Sequence, residues 1–543
     1  MHLMRITILL FPLLSFSYSH GQASLTSTDL PLLVINTNGQ TIPDDPKITA
    51  TLGIVDNGPG NRNRPTDSFN VYNGKIGIEI RGQSSQMFPM KSYSIELRND
   101  AGKSVDQSLF GLPAESDWVM YAPYTDKTLM RNFLAYSFSA GMGHWASHCR
   151  FTEVILNGQY VGIYVFMEKI KRGSGRVDIA KLKATDSTGD NLTGGYIFSI
   201  DKEANGWFSK FSPPNAPAAR IQYSYIVPKP EDITPLQKDY IKSTVDDFEN
   251  ALAGPQFRDS LQGYRKFIDP SSFIDFLIVN EISRNVDGYR LSSFFYKDKN
   301  SHDPRIHAGP VWDYDLAFRN ADYCDGSLAY GWAYDFNSVC SSDYWQIPFW
   351  WKRLLGDSSF QADLYCRWAG LRKDLLSESS INHWIDSITT LTAEARSRHF
   401  AQWHVLGQYV WPNPQPIPSS YSEEITALKT WIRNRLFWID DNIDKTGPCA
   451  PPPPPVSFED FDIHIWPNPV LATMQVRLSV PVAQSASIQV VNSAGQTILT
   501  GNYSLKKGLN ELPFTTASWS SGVYYIRVNF GNGVKKTYPV VKS

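Results

Sequence analysis

With 543 residues, the chain exceeds the roughly 250–300 at which a single hydrophobic core stops growing, so it must hold two or more folding units. A composition of 42% hydrophobic and 19% charged residues excludes a wholly disordered or fibrous protein. The 51 Lys+Arg against 53 Asp+Glu leave a net charge of −2, so no global positive field favours nucleic acid or an anionic membrane as the main partner.

Residues 1–21 have the layout of a secretory signal: a basic start at His2 and Arg5, an apolar stretch from Ile6 to Phe16, then small residues at Ser19 and Gly21. The apolar stretch is about half of the ~20 residues needed to span a bilayer, and no later stretch reaches that length. Export without a transmembrane segment is the expectation. From Leu33 to Glu96 the chain reads as strands and turns, with KIGIEIRG and SYSIEL alternating apolar and polar residues, which predicts a half-buried sheet. LMRNFLAYSFSA has helical spacing, and FTEVIL and YVGIYVFMEKI are joined at Asn157-Gly158, a strong hairpin signal. Residues 231–300 and 360–445 are largely helical in character. Strands followed by helices predict one α+β domain over residues 22–445.

The composition then changes. Residues 446–460, with five prolines from Pro451 to Pro455, read as an extended linker. Residues 461–543 show short strands at regular spacing with Asn/Gly turns, which predicts a small all-β, Ig-like sandwich. The five cysteines are too few for a disulfide scaffold, and no spacing is of zinc type. Cys324 and Cys340 flank a Gly/Tyr/Trp-rich loop that a bridge can close in an oxidising compartment.

Three clusters can carry chemistry. In NEISRNVDGYRLSSFFYKDKNSHDPRIHAGPVWDYDLAF, Asp287 follows a predicted helix, and Asp313 and Asp315 end a predicted strand, on one face with Tyr314 turned away. Carboxylate oxygens of this kind suit magnesium. The competing reading is capping and turn formation. The second cluster, Gly82, Ser84 and Ser85 in a turn followed by Lys91, offers N–H groups, hydroxyls and a point charge to an anion; a plain hairpin turn with a solvated lysine competes. The third couples Arg131 and Glu168, and Lys91 with Glu168 is the available pair for aligning nucleotide phosphates; a surface ion pair is the alternative.

Taken together, RGQSSQMFPMKSYSIEL, LFGLPAESDWVMYAPYTDKTLMRNFLAYSF, EVILNGQYVGIYVFMEKIKR, GGYIFSIDK, NEISRNVDGYR and GPVWDYDLAF resemble the spore-coat CotH kinase family in content and order. The resemblance implies an atypical, protein-kinase-like fold that moves the γ-phosphoryl of ATP to a protein hydroxyl with Mg2+ or Mn2+. It implies catalytic roles for Asp287 and Asp313, and metal binding by Asp287, Asp313 and Asp315. Nucleotide binding is expected at Gly82, Ser84, Ser85, Lys91 and Glu168. Two positions depart from the family pattern: Met90 stands before Lys91 where lysines are often paired, and Ser292 and Ser293 stand where an asparagine is common. In the tail, IWPNPV, VVNSAGQTIL and WSSGVYYIRV resemble the type A C-terminal sorting domain of the type IX secretion system of Bacteroidetes. That implies the secretion machinery as a partner and a secreted or cell-surface destination. The alternative from a different class is a catalytically inactive kinase-like surface protein, structural or glycan-binding, with WQIPFWWKRLL and Trp332 as stacking platforms.

Overall fold

The computed structural model describes residues 25–449 except 203 and 204, and residues 463–542 except 467–469, 481, 482, 493–495, 507 and 532–534. The expected signal segment 1–21 and most of the expected linker 446–460 lie outside the described residues. The chain divides into two compact units, residues 1–452 and 453–543.

The first unit begins with a closed barrel. Its strands are β1 (Leu32–Asn36), β2 (Ile48–Val55), β3 (Tyr72–Arg81), β4 (Ser92–Arg98), β5 (Asp117–Tyr121), β6 (Cys149–Leu156) and β7 (Gln159–Glu168), in the order β1-β2-β3-β4-β5-β7-β6. The alternation read in KIGIEIRG and SYSIEL is present: Ile76, Ile78, Ile95 and Leu97 are fully buried in one cluster with Trp118 and Phe166. The expected half-buried sheet is corrected to a closed one. Parallel pairing of β1 with β6 (Leu33 with Val154) removes both sheet edges and turns the apolar face inward. Asn157 and Gly158 both take positive φ, 51° and 78°, as a two-residue hairpin turn requires.

Helices and a second sheet cover the outer face of the barrel. Val119, Val165 and Met167 of β5 and β7 join one core with Leu134 and Phe138 of the helix Arg131–Gly141 and with the helix Pro270–Ser283. The strands β8 (Tyr196–Ile200), β9 (Trp207–Phe208), β10 (Gln222–Val227), β11 (Ser293–Lys297) and β12 (Ile306–Ala308) form a five-stranded sheet in the order β12-β11-β8-β10-β9. The helix Pro235–Ala253 starts with a capping box between Thr234 and Gln237 and proline at its first turn. Four further helices, Ser358–Leu371, Glu378–Leu391, Ala393–Gln402 and Tyr421–Asn442, fill the predicted helical region. The Cys324–Cys340 bridge is formed, and a second, Cys366–Cys449, was not foreseen. Among the described residues no helix is long and apolar enough to cross a membrane.

The helix Ala393–Gln402 seals a defect in the barrel. The β6–β7 ladder shifts register between Val154 and Ile155. There the Ile163 N–H donates to His399 Nδ1 (3.1 Å), and Trp403 Nε1–H donates to the Val161 carbonyl (2.9 Å). Burial holds the His399 imidazole down to a pKa of about 3.

The second unit is all-β. Its sheets are β13 (Ile463–Trp466), β14 (Thr473–Val480) and β17 (Gly508–Thr515), and β16 (Thr497–Leu505), β15 (Gln484–Asn492), β18 (Gly522–Phe530) and β19 (Lys535–Lys542). Val476, Leu478, Ile488, Val490, Ile526 and Val528 from both sheets share one core, as in a sandwich.

His399→Leu will leave the buried Ile163 N–H without an acceptor and destabilise the protein by about 1–3 kcal/mol at pH 8 in chemical denaturation. Because the folded pKa lies below the unfolded ~6.5, wild type loses stability as pH falls from 6.5 towards about 3, when the unfolded chain takes up the proton. The leucine variant lacks that loss, so the gap between the two proteins will narrow with acidification.

Candidate active site

The three aspartates singled out in the sequence converge, by a route other than a strand. β12 ends at Ala308, and Trp312 to Asp315 belong to no strand. Asp313 takes a left-handed φ of 66°, which replaces the expected strand pleat as the device that brings its side chain towards Asp315. Such a segment has no ladder to hold it, so side chains do. The Asp313 N–H donates to Tyr136 Oη (3.3 Å) and the Tyr314 N–H to Asn132 Oδ1 (2.6 Å), both on the helix Arg131–Gly141. Tyr314 is turned away as predicted, and its Oη donates to Asn280 Oδ1 (3.0 Å) on the helix Pro270–Ser283. Phe318 N–H donates to the Ser283 carbonyl (2.7 Å), and Asn320 Nδ2 to the Asp315 carbonyl (2.8 Å).

Asp287 lies in the turn after that helix, which ends at Ser283 with Arg284 in the left-handed conformation. The turn packs so closely on the helix that a Cβ at Gly288 would stand 2.4 Å from Asn280 Oδ1. Arg290 Nη2 donates to Asp287 Oδ1 (2.8 Å), and its Nη1 to Asp343 Oδ1 and the Trp345 carbonyl (both 3.1 Å).

Asp313 is reached by solvent and Asp315 partly so, yet both sit deep in a recess where surrounding protein displaces bulk water. Desolvation raises both carboxyls above the usual range, Asp315 well above it. Repulsion adds to this: Asp287 acts on both, and Asp313 and Asp126 act on Asp315. The side-chain interaction between the two carboxyls raises Asp315 and lowers Asp313, and the Arg81 charge opposes the rise at Asp313. Asp126 is itself paired with Arg131 and capped by Thr128. Two shielded polar atoms in this neighbourhood have no hydrogen-bond partner, Arg81 Nη1 and Tyr121 Oη. Burial and the charges of Asp315, Asp126 and Asp313 push the Tyr121 phenol far up.

The remaining predicted residues do not join this group. Gly82 has φ 95° and begins an exposed turn, and a Cβ there would meet Ser85 Oγ at 2.0 Å. Ser84 and Ser85 lie in the short 3-10 turn Ser84–Met87. Lys91 Nζ donates to the Gln86 carbonyl (2.5 Å) and braces that turn. Glu168 is completely buried, ion-paired with Arg176, and accepts from the His148 N–H (3.1 Å) with His148 Nδ1 at 2.7 Å. The expected Lys91–Glu168 pair is therefore corrected. Glu168 pairs across the sheet with Trp118 and Trp118 with Ile95, so Lys91 is four residues away along β4 and two strands across. Arg131 likewise belongs to Asp126, not Glu168. Ser293 is buried with its hydroxyl on the Leu291 carbonyl (3.1 Å). Sequence reasoning missed Arg81, Tyr121, Tyr136 and Lys202. The usable signal for Arg81 was its place at the end of an alternating strand just before Gly82.

Among the described residues, the one group of three His, Cys, Asp or Glu ligand atoms within 4.8 Å of one another is Cys324, Cys340 and Asp343, and its two sulfurs are spent in the disulfide. Asp313 and Asp315 thus neighbour each other without Asp287 closing a set of three within that distance, and Arg290 holds one Asp287 oxygen. Hard carboxylate oxygens that repel one another, with no cation in contact with the pair, fit a divalent ion such as magnesium.

Residues 78–439 match the family model for the CotH kinase protein, and residues 464–542 match the secretion system C-terminal sorting domain. The first match spans most of the chain, which therefore belongs to the CotH kinase protein family and carries a secretion sorting tail. No curated protein matches the chain. A crystal structure of an engineered protein, solved by a structural genomics consortium, is similar over 28% of this chain at 15% identity with a TM-score of 0.13. The chain spans 36% of that protein's length, and so slight a likeness carries no argument.

A carboxyl whose folded pKa is raised above its unfolded value stabilises the fold below the unfolded pKa and loses that contribution as pH rises through the folded one. Asp315→Asn will therefore melt higher than wild type at pH 7–8 in the presence of a chelator. The difference will shrink as pH falls and vanish only below the unfolded value of about 3.9, where both states of wild type are protonated; thermal scans from pH 8 down to about pH 3 provide the measurement.

Proposed function

We propose that this is a secreted CotH-like phosphotransferase that moves the γ-phosphoryl group of ATP to a protein hydroxyl. The observation that carries this reading is the Asp313–Asp315 pair with Asp287 at its edge, in a recess between the barrel and the helices, within a chain of the CotH kinase protein family. Asp313 and Asp315 would hold a magnesium or manganese ion, which when bound neutralises developing charge on the phosphate oxygens. Asp287 has one oxygen engaged by Arg290, leaving the other to accept the proton of the acceptor hydroxyl. The new bond joins that hydroxyl oxygen to the γ-phosphorus, and the bond to the β-phosphate oxygen breaks with ADP as leaving group. Tyr136, Asn132 and Asn280 fix the loop, so the carboxylates need little reorganisation when substrate binds.

Of the stacking platforms a glycan-binding role would use, Trp350 and Trp351 of WQIPFWWKRLL are fully buried, whereas Trp345 and Trp332 are partly exposed, Trp332 with its ring 4.8 Å from that of Trp438.

Full-length protein incubated with labelled ATP and magnesium will phosphorylate itself or an added protein, and Asp313→Asn will lower the rate by roughly 10³-fold or more. Equal incorporation by both proteins would sink the assignment. The tail match supports export through the type IX machinery. Intact-mass measurement of secreted material is then expected to show loss of the residues after the proline run, and an intact tail on all secreted molecules would count against that route.

A further inference from the structure

Two cations face the acidic recess without being neutralised by it. Arg81 ends β3, and its guanidinium lies 5.4 Å from the centroid of Trp312, the residue before Asp313. Its Nη1 is shielded from solvent and has no hydrogen-bond partner. Lys202 leaves the end of β8 with its Nζ 5.5 Å from the Trp345 ring. Trp345 also offers its carbonyl to Arg290, the residue that holds Asp287. An aromatic face positions a cation without discharging it, whereas a carboxylate contact would do both. A shielded N–H without an acceptor costs free energy comparable to a lost hydrogen bond, which a bound anion would recover. The arrangement is two-sided, with cations from the barrel and the second sheet and carboxylates from the helical loops. A metal-bound polyphosphate chain presents the complementary charges: oxygens for the two cations, and a divalent ion for the carboxylates.

We propose that Arg81 and Lys202 clamp the phosphate chain of a nucleoside triphosphate across the recess from Asp313, in place of the Gly82–Ser85 turn and Lys91. This rests on the phosphotransferase reading, and the test separates the two. Inorganic tripolyphosphate with magnesium, titrated calorimetrically into the full-length protein, needs neither adenine recognition nor transfer. Wild type is expected to bind. Arg81→Gln and Lys202→Gln are each expected to weaken binding about tenfold or more. Arg81→Lys is expected to recover part of the affinity, and Lys91→Gln to leave it unchanged, with melting temperatures confirming that each variant folds. No binding by wild type would overturn the proposal, as would Arg81→Gln binding like wild type or Lys91→Gln producing the larger loss. Tripolyphosphate binding in the expected pattern without transfer from ATP would uphold the clamp and reject the phosphotransferase. Transfer that Arg81→Gln leaves untouched would do the reverse.

Discussion

Carboxylates kept close together against their own repulsion, in a recess where water screens them poorly, are the constraint around which the first unit is organised. Desolvation and the charge of Asp287 raise both Asp313 and Asp315, and Asp313 and Asp126 add to the negative field at Asp315. Left to itself, a loop bearing such charges would open. Here it is tied by the side chains of Tyr136, Asn132 and Asn280 and by the Ser283 carbonyl. Directly behind it, Glu281 and Arg435 form a completely buried ion pair. The same carboxylate accepts from the Ala333 and Tyr334 N–H groups and from Tyr289. A buried pair of this kind is weak evidence for net stability, but removing either partner would strand a charge. It joins the helix Pro270–Ser283, the last long helix and the disulfide-closed segment into one body.

The barrel serves the same constraint from the other side. Closure leaves no free edge, so its outer face is a stiff wall rather than a sheet able to twist away. On that wall Arg81 and Tyr121 present polar atoms without partners to the carboxylates. The bulge on β7, which would weaken the wall, is plugged by His399 and Trp403. Stability and electrostatics are thus traded at one place: charge strains the recess, two polar atoms on its barrel wall lack partners, and the loop that carries the carboxylates is tied by hydrogen bonds.

Local pattern in the sequence was sufficient for much of this. The alternation around Ile76–Ile80, the Asn157-Gly158 turn, the helical spacing after Thr128 and the regular strands after the proline run each depend on residues close in the chain. Near-neighbour periodicity reports them directly. The mixed α and β character and the all-β tail followed from them, while the family resemblance rested on the order of whole motif segments, which also marked Asp287, Asp313 and Asp315 as acidic candidates. Partners were not legible. Lys91 and Glu168 looked like a pair because both are charged residues on strands, yet their registers place them apart and each is occupied elsewhere.

The chain's own order of residues therefore determined most of the strands and helices and which carboxylates are available, though not that the Trp312–Asp315 segment leaves the sheet. Tertiary structure alone decided that the first sheet closes, because β1 meets β6 across more than a hundred residues. It also decided that Asp313 and Asp315 converge through a left-handed residue held by helices distant in sequence, and that Arg81 is the arginine facing them. The physical reason is one of range. Periodicity states that a face is buried or a charge is present, but which surface covers that face and which charge answers it depend on contacts whose cost is paid only when the whole chain folds.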